Sequence, residues 1–383
     1  MRFTEFSGEW KEELLDRIAT LSKGIGIPKE QLSEDGDPCI LYGELYTKYK
    51  SEIIKQVESK TDIDGSKLKR SKANDVIIPC SGETAVDIAT ARCVPFDSIL
   101  LGGDLNVISL HKYDGAFMSY QLNGKRKYDI ARVAQGVSVV HLYGEHLKTI
   151  KTYNPTLPEQ QKIAILLSLL DERIATQNKI IEDLKMLKSA IIEIEYTPNT
   201  KTTSHIGNVI EQISKRNKNN AIQNVLSVSN RQGFIKQSDQ FENRNVASED
   251  TSNYKIVEKN DFAFNPARIN VGSIARLTNF EKGIVSPMYI CFRTQENVAP
   301  EYIDFFFESK HFYCEIQKRL EGSVRQCLSF EGLCNIPFSL PSLDMQQRIG
   351  KRLFTLGQKI KTETDLLELL NKQKQYLLRQ MFI

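Results

Sequence analysis

Two stretches of the chain carry apolar residues at alternating spacings of four and three, the heptad pattern of a helix with one buried stripe. The first stripe consists of Ile163, Leu167, Leu170, Ile174, Gln177, Ile181, Leu184, Lys188 and Ile191. The second consists of Ile349, Leu353, Leu356, Ile360, Glu363, Leu367, Leu370, Lys374 and Leu377. We predict two long helices that pair along these stripes as a coiled-coil seam. The alternative, an amphipathic helix lying on its own domain, explains one such helix better than two equal ones.

The seam predicts a rod with a defined register. Gln177 and Glu363 occupy equivalent positions, and polar residues in a seam commonly fix register. From Ile163 to Ile191 the seam spans roughly 40 Å at about 1.5 Å per residue. This length is close to one turn of a DNA duplex, about 34–36 Å.

The starts of both helices carry capping signals. Thr156 and Glu159 form a T-x-x-E capping box at the first helix. Ser342 can cap the second helix, although Met345 replaces the capping glutamate. The acidic pair at 171–172 predicts a solvated outer face.

The chain is duplicated with an offset of 186 residues. This offset matches Asn74-Asp75 with Asn260-Asp261, and it holds without a gap to the end of the chain. The further matched landmarks are Gly136 with Gly322, Leu142 with Leu328, Glu145 with Glu331, Leu147 with Leu333, Ile150 with Ile336, Pro155 with Pro341, and Gln160 with Gln346. Such self-similarity indicates two copies of one module.

Each helix follows a globular segment of mixed pattern. Short strand-like runs (DVIIPC, DSILLGG, VSVVHLY, DFAFNP, GIVSPMYICF) alternate with glycine, asparagine and proline breaks, and residues 11–21 and 302–320 look helical. We predict domains at 1–154 and 197–340, with helices at 155–196 and 341–383. The segments differ strongly between landmarks, as two related modules with different ligands would.

Composition excludes several classes of protein. With 383 residues, 40% hydrophobic and 26% charged, the chain can form two or three domains. The longest apolar run, at 163–170, is too short to span a bilayer and the start has no signal-peptide core, so we expect a cytoplasmic protein without a membrane partner. The seven cysteines form no CxxC pair and the five histidines are scattered, so we expect no metal site.

Motifs for catalysis are missing. The sequence contains no phosphate loop, HExxH, GxSxG or kinase set, and no Asn-Pro-Pro-aromatic tetrapeptide of amino-methyltransferases. We therefore expect a binding protein without catalytic residues.

Several loops suit a phosphate-lined ligand, although the net charge of +3 does not by itself indicate nucleic acid. Basic residues cluster at 68–72, 124–128 and 214–220, and surface solubility explains any one of these loops equally well. Arginine suits guanine edges, and asparagine or glutamine suits adenine edges. These candidates for DNA contact are Lys69, Arg70, Lys72, Lys125, Arg126, Lys127, Lys215, Arg216, Lys218, Asn265, Arg268, Asn270, Arg325 and Gln326.

The helix LPEQQKIAILLSLLDERIATQNKIIEDLKMLKSAII resembles the conserved helical region of type I restriction–modification specificity subunits. The second helix is similar to the first, with Asp344 and Met345 departing from the usual proline and glutamate. IIPCSGET and AQGVSVVHLYGEHLKTI resemble one class of target recognition domain, and they add Ser81, Thr84 and Ser138 to the candidates for DNA contact. GSVRQCLSFEGLCNIPFSLPSL resembles the edge of a second such domain.

The resemblance implies an α+β fold with two globular target recognition domains in a pseudo-two-fold arrangement, separated by an antiparallel coiled coil of two long helices. It implies a non-catalytic subunit that reads a bipartite, asymmetric sequence in double-stranded DNA. Two modification (methyltransferase) subunits and restriction (translocase and nuclease) subunits are the implied partners. They would bring S-adenosylmethionine, ATP and Mg, while this chain would hold no cofactor.

Two alternatives remain open at this point. One is a stand-alone DNA-modifying enzyme, such as a methyltransferase or nuclease, with an unrecognised active site. The other is a coiled-coil adaptor whose helices join proteins and whose domains bind peptides. Binding of S-adenosylmethionine or cutting of DNA by the chain alone would favour the enzyme, and a steep salt dependence of duplex binding favours the reader over the adaptor.

Overall fold

Both long helices are divided between two compact units. The computed structural model describes residues 2–197, 204–230, 232–240, 250–322 and 326–382. Unit 1 consists of Met1–Lys179 and Asp365–Ile383, and unit 2 consists of Ile180–Thr364. Each unit therefore combines one globular segment with a part of each helix.

Unit 1 is built from short elements. Its strands are β1 (Lys11–Leu14), β2 (Ala19–Lys23), β3 (Leu32–Ser33), β4 (Asp37–Ile40), β5 (Lys60–Thr61), β6 (Lys69–Arg70), β7 (Asp75–Pro79), β8 (Ser81–Gly82), β9 (Arg92–Val94), β10 (Leu100–Leu101), β11 (Leu105–Leu110), β12 (Val140–His141) and β13 (Lys151–Asn154). Its α-helices are α1 (Leu15–Ile18), α2 (Glu44–Thr47), α3 (Ala85–Ile88), α4 (Gly115–Asn123), α5 (Lys127–Val133) and α6 (Gly144–Lys148), followed by α7 (Leu157–Tyr196), which continues into unit 2.

Unit 2 has the same mixed character. Its strands are β14 (Ile210–Ile213), β15 (Val225–Ser229), β16 (Gly233–Lys236), β17 (Lys255–Glu258), β18 (Phe262–Phe264), β19 (Ile274–Arg276), β20 (Lys282–Val285) and β21 (Ile290–Thr294). Its helices are α8 (Gln237–Gln240), α9 (Pro300–Phe306), α10 (Lys310–Gln317) and α11 (Phe330–Cys334), followed by α12 (Leu343–Gln380), which continues into unit 1.

The two units have corresponding sheets. Unit 1 has an antiparallel sheet in the order β2-β11-β7-β9, and unit 2 has one in the order β14-β21-β18-β19. A second sheet runs β3-β5-β4-β10-β6 in unit 1 and β16-β15-β20-β17 in unit 2. In each second sheet one parallel pair, β4 with β10 or β15 with β20, adjoins antiparallel partners. The duplication therefore includes strand order and direction.

The turns at the landmark residues also correspond. Asn74 and Asn260 adopt positive φ angles of 80° and 72°, which asparagine tolerates better than most residues. The next residue closes the turn in both units: Asp75 accepts a hydrogen bond from the Lys72 amide at 2.8 Å, and Asp261 accepts one from the Glu258 amide at 2.7 Å. The turn is thus fixed by local chemistry before each central strand.

The first glutamine of each long helix ties that helix to its globular segment. The Gln160 side chain accepts from the Asp114 amide at 2.9 Å and donates to the Pro155 carbonyl at 2.8 Å. Gln346 accepts from the Ala299 amide and donates to the Pro341 carbonyl, both at 2.9 Å. Both side chains are buried, so each satisfies backbone groups that burial would otherwise leave unpaired.

Two local predictions are wrong, and a third, the helical stretch at 302–320, is helical but interrupted. Residues 11–21 form β1, α1 and β2 because β13 and β11 pair with those strands, so tertiary pairing overrides the helical spacing. Residues 302–320 are split into α9 and α10, and the Ser309 hydroxyl caps α10 by accepting from the Phe312 amide. Glu159 does not close a capping box, since its carboxylate accepts two hydrogen bonds from the Arg2 guanidinium at 2.7 Å.

The seam residues lie inside the units. In unit 1, one apolar cluster joins Ile163, Leu167 and Leu170 of α7 to Leu370 and Leu377 of α12. In unit 2, Ile191 of α7 shares the core with Ile349 and Leu353 of α12. The remaining seam positions, Ile174, Gln177, Ile181, Leu184, Lys188, Leu356, Ile360, Glu363, Leu367 and Lys374, are buried or half-buried.

The helices run antiparallel in unit 1. Asp171 contacts Lys374 at 2.6 Å, whereas Trp10 lies 3.4 Å from the Glu159 carboxylate and 6.4 Å, between ring centroids, from Phe382. Earlier residues of α7 are therefore near residues later in the chain than Lys374.

A buried ion network joins α12 to the globular part of unit 1. The Lys374 ammonium lies 2.6 Å from both the Glu52 and Asp171 carboxylates, and the Tyr120 hydroxyl donates to Asp171 at 2.7 Å. Burial raises the pKa of Glu52. Burial lowers the pKa of Lys374, but the Glu52 and Asp171 carboxylates outweigh that effect and raise it.

The prediction of a solvated acidic pair is therefore wrong for Asp171. Its side chain is buried and contacts Lys374 and Tyr120 in this network. Glu172 is exposed, as expected, and its carboxylate lies 2.7 Å from the Lys55 ammonium.

We predict that Lys374→Ala strongly destabilises the chain. It leaves Glu52 and Asp171 buried without their ammonium partner, which typically costs about 3–5 kcal/mol. Urea unfolding followed by far-ultraviolet circular dichroism measures the loss. Lys372→Ala is the matched control on the same helix, because its ion pair with Glu368 is exposed and its removal should change the midpoint little. Equal midpoints for the two variants would contradict the role of the network.

Candidate nucleic-acid interface

The first group of candidate residues borders strand β6. Arg70 is engaged within the fold, since its guanidinium lies 2.7 Å from the Asp37 carboxylate and 3.1 Å from the Ser98 carbonyl. Lys69 is half-buried, whereas Lys72 is exposed and its side chain forms no ion pair with the described residues. Of these three, Lys72 is the cation best placed for an external anion.

Ser81 and Thr84 have local structural contacts. The Thr84 hydroxyl accepts from the Asp87 amide at 3.1 Å and caps α3, while it donates to the Asp87 carboxylate at 2.6 Å. The Ser81 hydroxyl lies 3.5 Å from the Asp104 carboxylate. These contacts explain both residues without a ligand.

The three basic residues at the turn between α4 and α5 have different roles. Arg126 lies over the Tyr153 ring at 5.1 Å from its centroid, and it pairs with Asp129 at 3.3 Å. Lys125 is exposed and Lys127 is half-buried, and neither forms an ion pair with the described residues. Arg126 thus stabilises the fold, whereas the positive charges of Lys125 and Lys127 are not neutralised by a carboxylate of the described residues.

An exposed loop follows in unit 1. Its ends are held by reciprocal backbone hydrogen bonds of 2.9 and 2.7 Å between Gln135 and His141. Gly136 has a φ of +123°, and a Cβ there would lie 2.1 Å from the Val139 carbonyl, so this position requires glycine. Ser138 lies at the tip beside Val137, which is 97% exposed.

Sequence reasoning selected Ser138 in this loop but missed the apolar residues beside it. Val137 and Val139 are exposed side chains of the type that contacts the thymine methyl group. The signal that marks the loop is the landmark Gly136, matched with Gly322. In unit 2 the corresponding backbone pair joins Glu321 to Cys327, with Gln326 exposed beside it; Arg325 lies outside the described residues.

The basic loop of unit 2 borders an open groove of about 860 Å³. Lys215, Arg216 and Lys218 all line it. Asn217 is buried and holds the loop by accepting from the Ile222 amide and donating to its carbonyl. Lys282, a cation that sequence reasoning missed, also lines the groove and pairs with Glu258 at 2.9 Å.

A second cavity in unit 2, of about 350 Å³, brings together Asn265 and Arg268. Asn265 is buried, and its side-chain oxygen accepts from the Ala267 amide at 3.1 Å. Arg268 is exposed, whereas Asn270 is half-buried and does not line the cavity. The other lining residues are Ser227, Val228, Ser229, Asn230, Gln237, Tyr254, Val271, Ser273, Ser286, Met288 and Tyr289.

The lining of this cavity suits recognition by hydrogen bonds. Hydroxyl and amide groups supply donors and acceptors, and Arg268 supplies a planar guanidinium with several donors. Among the lining residues that the structure describes there is no carboxylate, histidine or cysteine. Across the part of the chain that the structure describes, no three His, Cys, Asp or Glu side chains converge to hold a metal ion. The arrangement can bind base edges or similar planar polar groups.

The family model for the type I restriction modification DNA specificity domain matches residues 8–186 and again residues 192–372. The chain belongs to this specificity family. The two matched ranges coincide with the two copies of the duplicated sequence, and each copy contains the corresponding sheets described above. No curated protein gives a match to the chain.

Two solved structures share the fold of this member of the specificity family. The crystal structure of the type I restriction–modification S subunit from M. genitalium has a TM-score of 0.63 at 16% identity, covering 100% of this chain and 99% of that one. A structure concerning complex assembly and conformational transition of the type I R-M system has a TM-score of 0.55 at 13% identity, covering 97% of both chains. The expected specificity-subunit fold is therefore confirmed.

The long helices of this specificity-family chain expose apolar side chains away from the seam. In unit 1 these include Ile165 and Leu169 of α7 and Leu369 of α12, and in unit 2 they include Leu187 and Ile194 of α7. Within the described ranges, none of the helices has both the length and the apolar content that crossing a membrane requires.

Proposed function

We propose that the chain is the non-catalytic DNA-reading subunit of a type I restriction–modification complex, and that each globular segment reads one part of a bipartite, asymmetric site in double-stranded DNA. The supporting observation is that the units share strand order and landmark turns but differ in their exposed loops. A common frame gives both segments one mode of binding, and different loops give each its own sequence.

Phosphate and base contacts are proposed for different residues. Lys72, Lys215 and Lys218 are exposed cations without a carboxylate partner among the described residues, which suits sequence-independent phosphate contacts. Arg268 and the polar side chains of its cavity suit base edges in unit 2. In unit 1 the Val137–Val139 loop is the proposed base reader.

The helices have two proposed roles. Their paired length sets the unread gap between the two parts of the site, supported by the continuous α7 and α12 that each contribute to both units. Their exposed apolar residues dock two modification subunits, and restriction subunits join that assembly. The partners bring S-adenosylmethionine, ATP and Mg, and this chain directs them to methylate adenine or cleave DNA.

We expect Arg268→Ala to relax specificity in one part of the site. Loss of a bidentate arginine contact typically reduces discrimination by about 1–3 kcal/mol at one base position. Sequencing of methylated sites in cells that express the complete system measures this loss of discrimination. The control Lys218→Gln should weaken binding uniformly across sequences and reduce the salt dependence. Equal loss in both parts of the site would exclude Arg268 as a base reader.

A change in helix length should change the gap. One heptad inserted after Asn178 in α7 and one after Thr364 in α12 keeps the seam in register and adds about 10.5 Å. At about 3.4 Å per base pair, the methylated sequence should gain roughly three unread positions. Seven residues inserted instead into the polar sequence at 198–203, after Thr197, should leave the gap unchanged. An unchanged gap after the paired insertions would rule out the ruler.

The docking role predicts that assembly with modification subunits can be lost while DNA binding is retained. Ile165→Glu with Leu169→Glu places charge on an exposed apolar face of α7, so co-purification with modification subunits should fall while duplex binding by the chain persists. Thr176→Glu with Lys179→Glu is the control, because both residues are exposed and polar on the same helix. Normal assembly of the first variant would place the docking surface elsewhere.

A further inference from the structure

Unit 1 contains a cavity of about 570 Å³ with a strongly cationic lining. Six basic side chains line it, and Glu52 is the one carboxylate among the described lining residues. They come from the segment after α2, strand β9, the α4–α5 turn with the start of α5, and the end of α12: Lys50, Arg92, Lys125, Lys127, Lys374 and Arg379. The cavity is therefore built by distant parts of the sequence.

Two of the six cations are balanced by buried carboxylates. Lys374 contacts Glu52 and Asp171, and Arg92 is buried near the same two groups. The Arg92 guanidinium donates to the Ala91 carbonyl at 2.9 Å and to the Tyr49 carbonyl at 3.1 Å. These four ionised groups sum to zero charge.

The other four cations have no such balance. Lys50 donates to the Tyr46 carbonyl at 3.3 Å, and neither it nor Lys125, Lys127 or Arg379 forms an ion pair with the described residues. Burial and then the Arg92 charge lower the pKa of Lys127, while Asp87 and Glu52 act in the opposite direction more weakly. Crowding of like charges favours an anion as the missing partner.

We propose that this cavity binds phosphate groups of a multiply charged ligand. Four uncompensated cations exceed what a single carboxylate needs, and the volume lies within the range of about 300–1,000 Å³ typical of small-molecule sites. Gln375 supplies a neutral polar group, and the exposed Tyr128 ring offers a face on which a base can stack. The phosphates can belong to the backbone of bound DNA or to a free nucleotide.

For phosphates of the DNA backbone, this inference rests on the proposed function and deepens it; for a free nucleotide it goes beyond that function, because reading bases does not require this cavity. It also differs from the assignment of Lys125, Arg126 and Lys127 as one DNA-contacting run. Arg126 faces Tyr153 and Asp129, so only its two neighbours contribute to the cavity.

The test uses the full-length chain with inorganic tripolyphosphate as the probe in calorimetric titrations without Mg. Lys125→Gln with Lys127→Gln should weaken tripolyphosphate binding at least tenfold. Lys60→Gln with Lys112→Gln, which removes two exposed, unpaired lysines elsewhere in unit 1, should leave the affinity unchanged. Neither pair breaks an ion pair of the described fold, so both variants should retain the thermal midpoint of the wild type.

A second arm identifies the source of the phosphates. If it is the DNA backbone, a non-specific duplex competes with tripolyphosphate, and the Lys125/Lys127 variant loses about 1.8 from the slope of log affinity against log salt. If it is a free nucleotide, duplex binding is equal in wild type and variant while tripolyphosphate binding is lost. Either result supports the site.

The proposal is overturned if the wild type does not bind tripolyphosphate, or if the two double variants lose equal affinity. Failure of the DNA-reading function would look different. It would appear as a lack of sequence preference in duplex binding, whatever the affinity for tripolyphosphate.

Discussion

The structure depends on a seam that neither globular segment can complete alone. In unit 1, Leu370, Leu377 and Phe382, from the end of the chain, pack with Phe117 and residues of α7. The core of the first segment thus includes residues separated from it by the whole second segment. Such contacts carry a loop-closure cost that contacts between neighbouring residues do not. The seven-residue period of both stripes is what makes this distant pairing specific.

The two units stabilise the same frame by different interactions. In unit 1, Tyr120 donates to Asp171, which pairs with Lys374. The residues that correspond to Tyr120 and Asp171 in unit 2 are Phe306 and Gly357. There the core is aromatic: the Phe306 ring lies 4.9 Å from Phe338 and 5.5 Å from Phe312, between centroids. The turns that define strand direction are shared, whereas the side chains that fill the interior are not.

Local signals predicted the parts of the fold that local chemistry determines. The heptad stripes and the Asn74 and Asn260 turns depend on spacing and backbone preference, which a sequence contains. Asp171 lies outside the heptad stripe, so the helical pattern predicts that its side chain faces solvent. Its partners Glu52 and Lys374 are distant in sequence, so no local pattern indicates their contact with it. Residues 11–21 have helical spacing, but their hydrogen bonds go to β13 and β11.

Contacts within the fold also decide which residues of the candidate interface are available to a ligand. Thr84 and Arg126 looked available because a sequence displays polar groups and not the partners that engage them. Asn265 and Arg268 are three residues apart, so the sequence predicts them together. Tyr254 and Tyr289, which line the same cavity, come from other segments.

Net charge gave no indication of the charged surfaces because exposed ion pairs cancel much of it. Lys55 with Glu172, Lys151 with Glu12 and Lys259 with Glu281 each remove a cation and an anion from the local field. Other cations gather locally, in the α4–α5 cavity of unit 1 and in the loop groove of unit 2. Since charges in physiological salt act over about 8–10 Å, a polyanion responds to these local groups and not to the total of +3. A nearly neutral composition is therefore compatible with strong, localised attraction for phosphate.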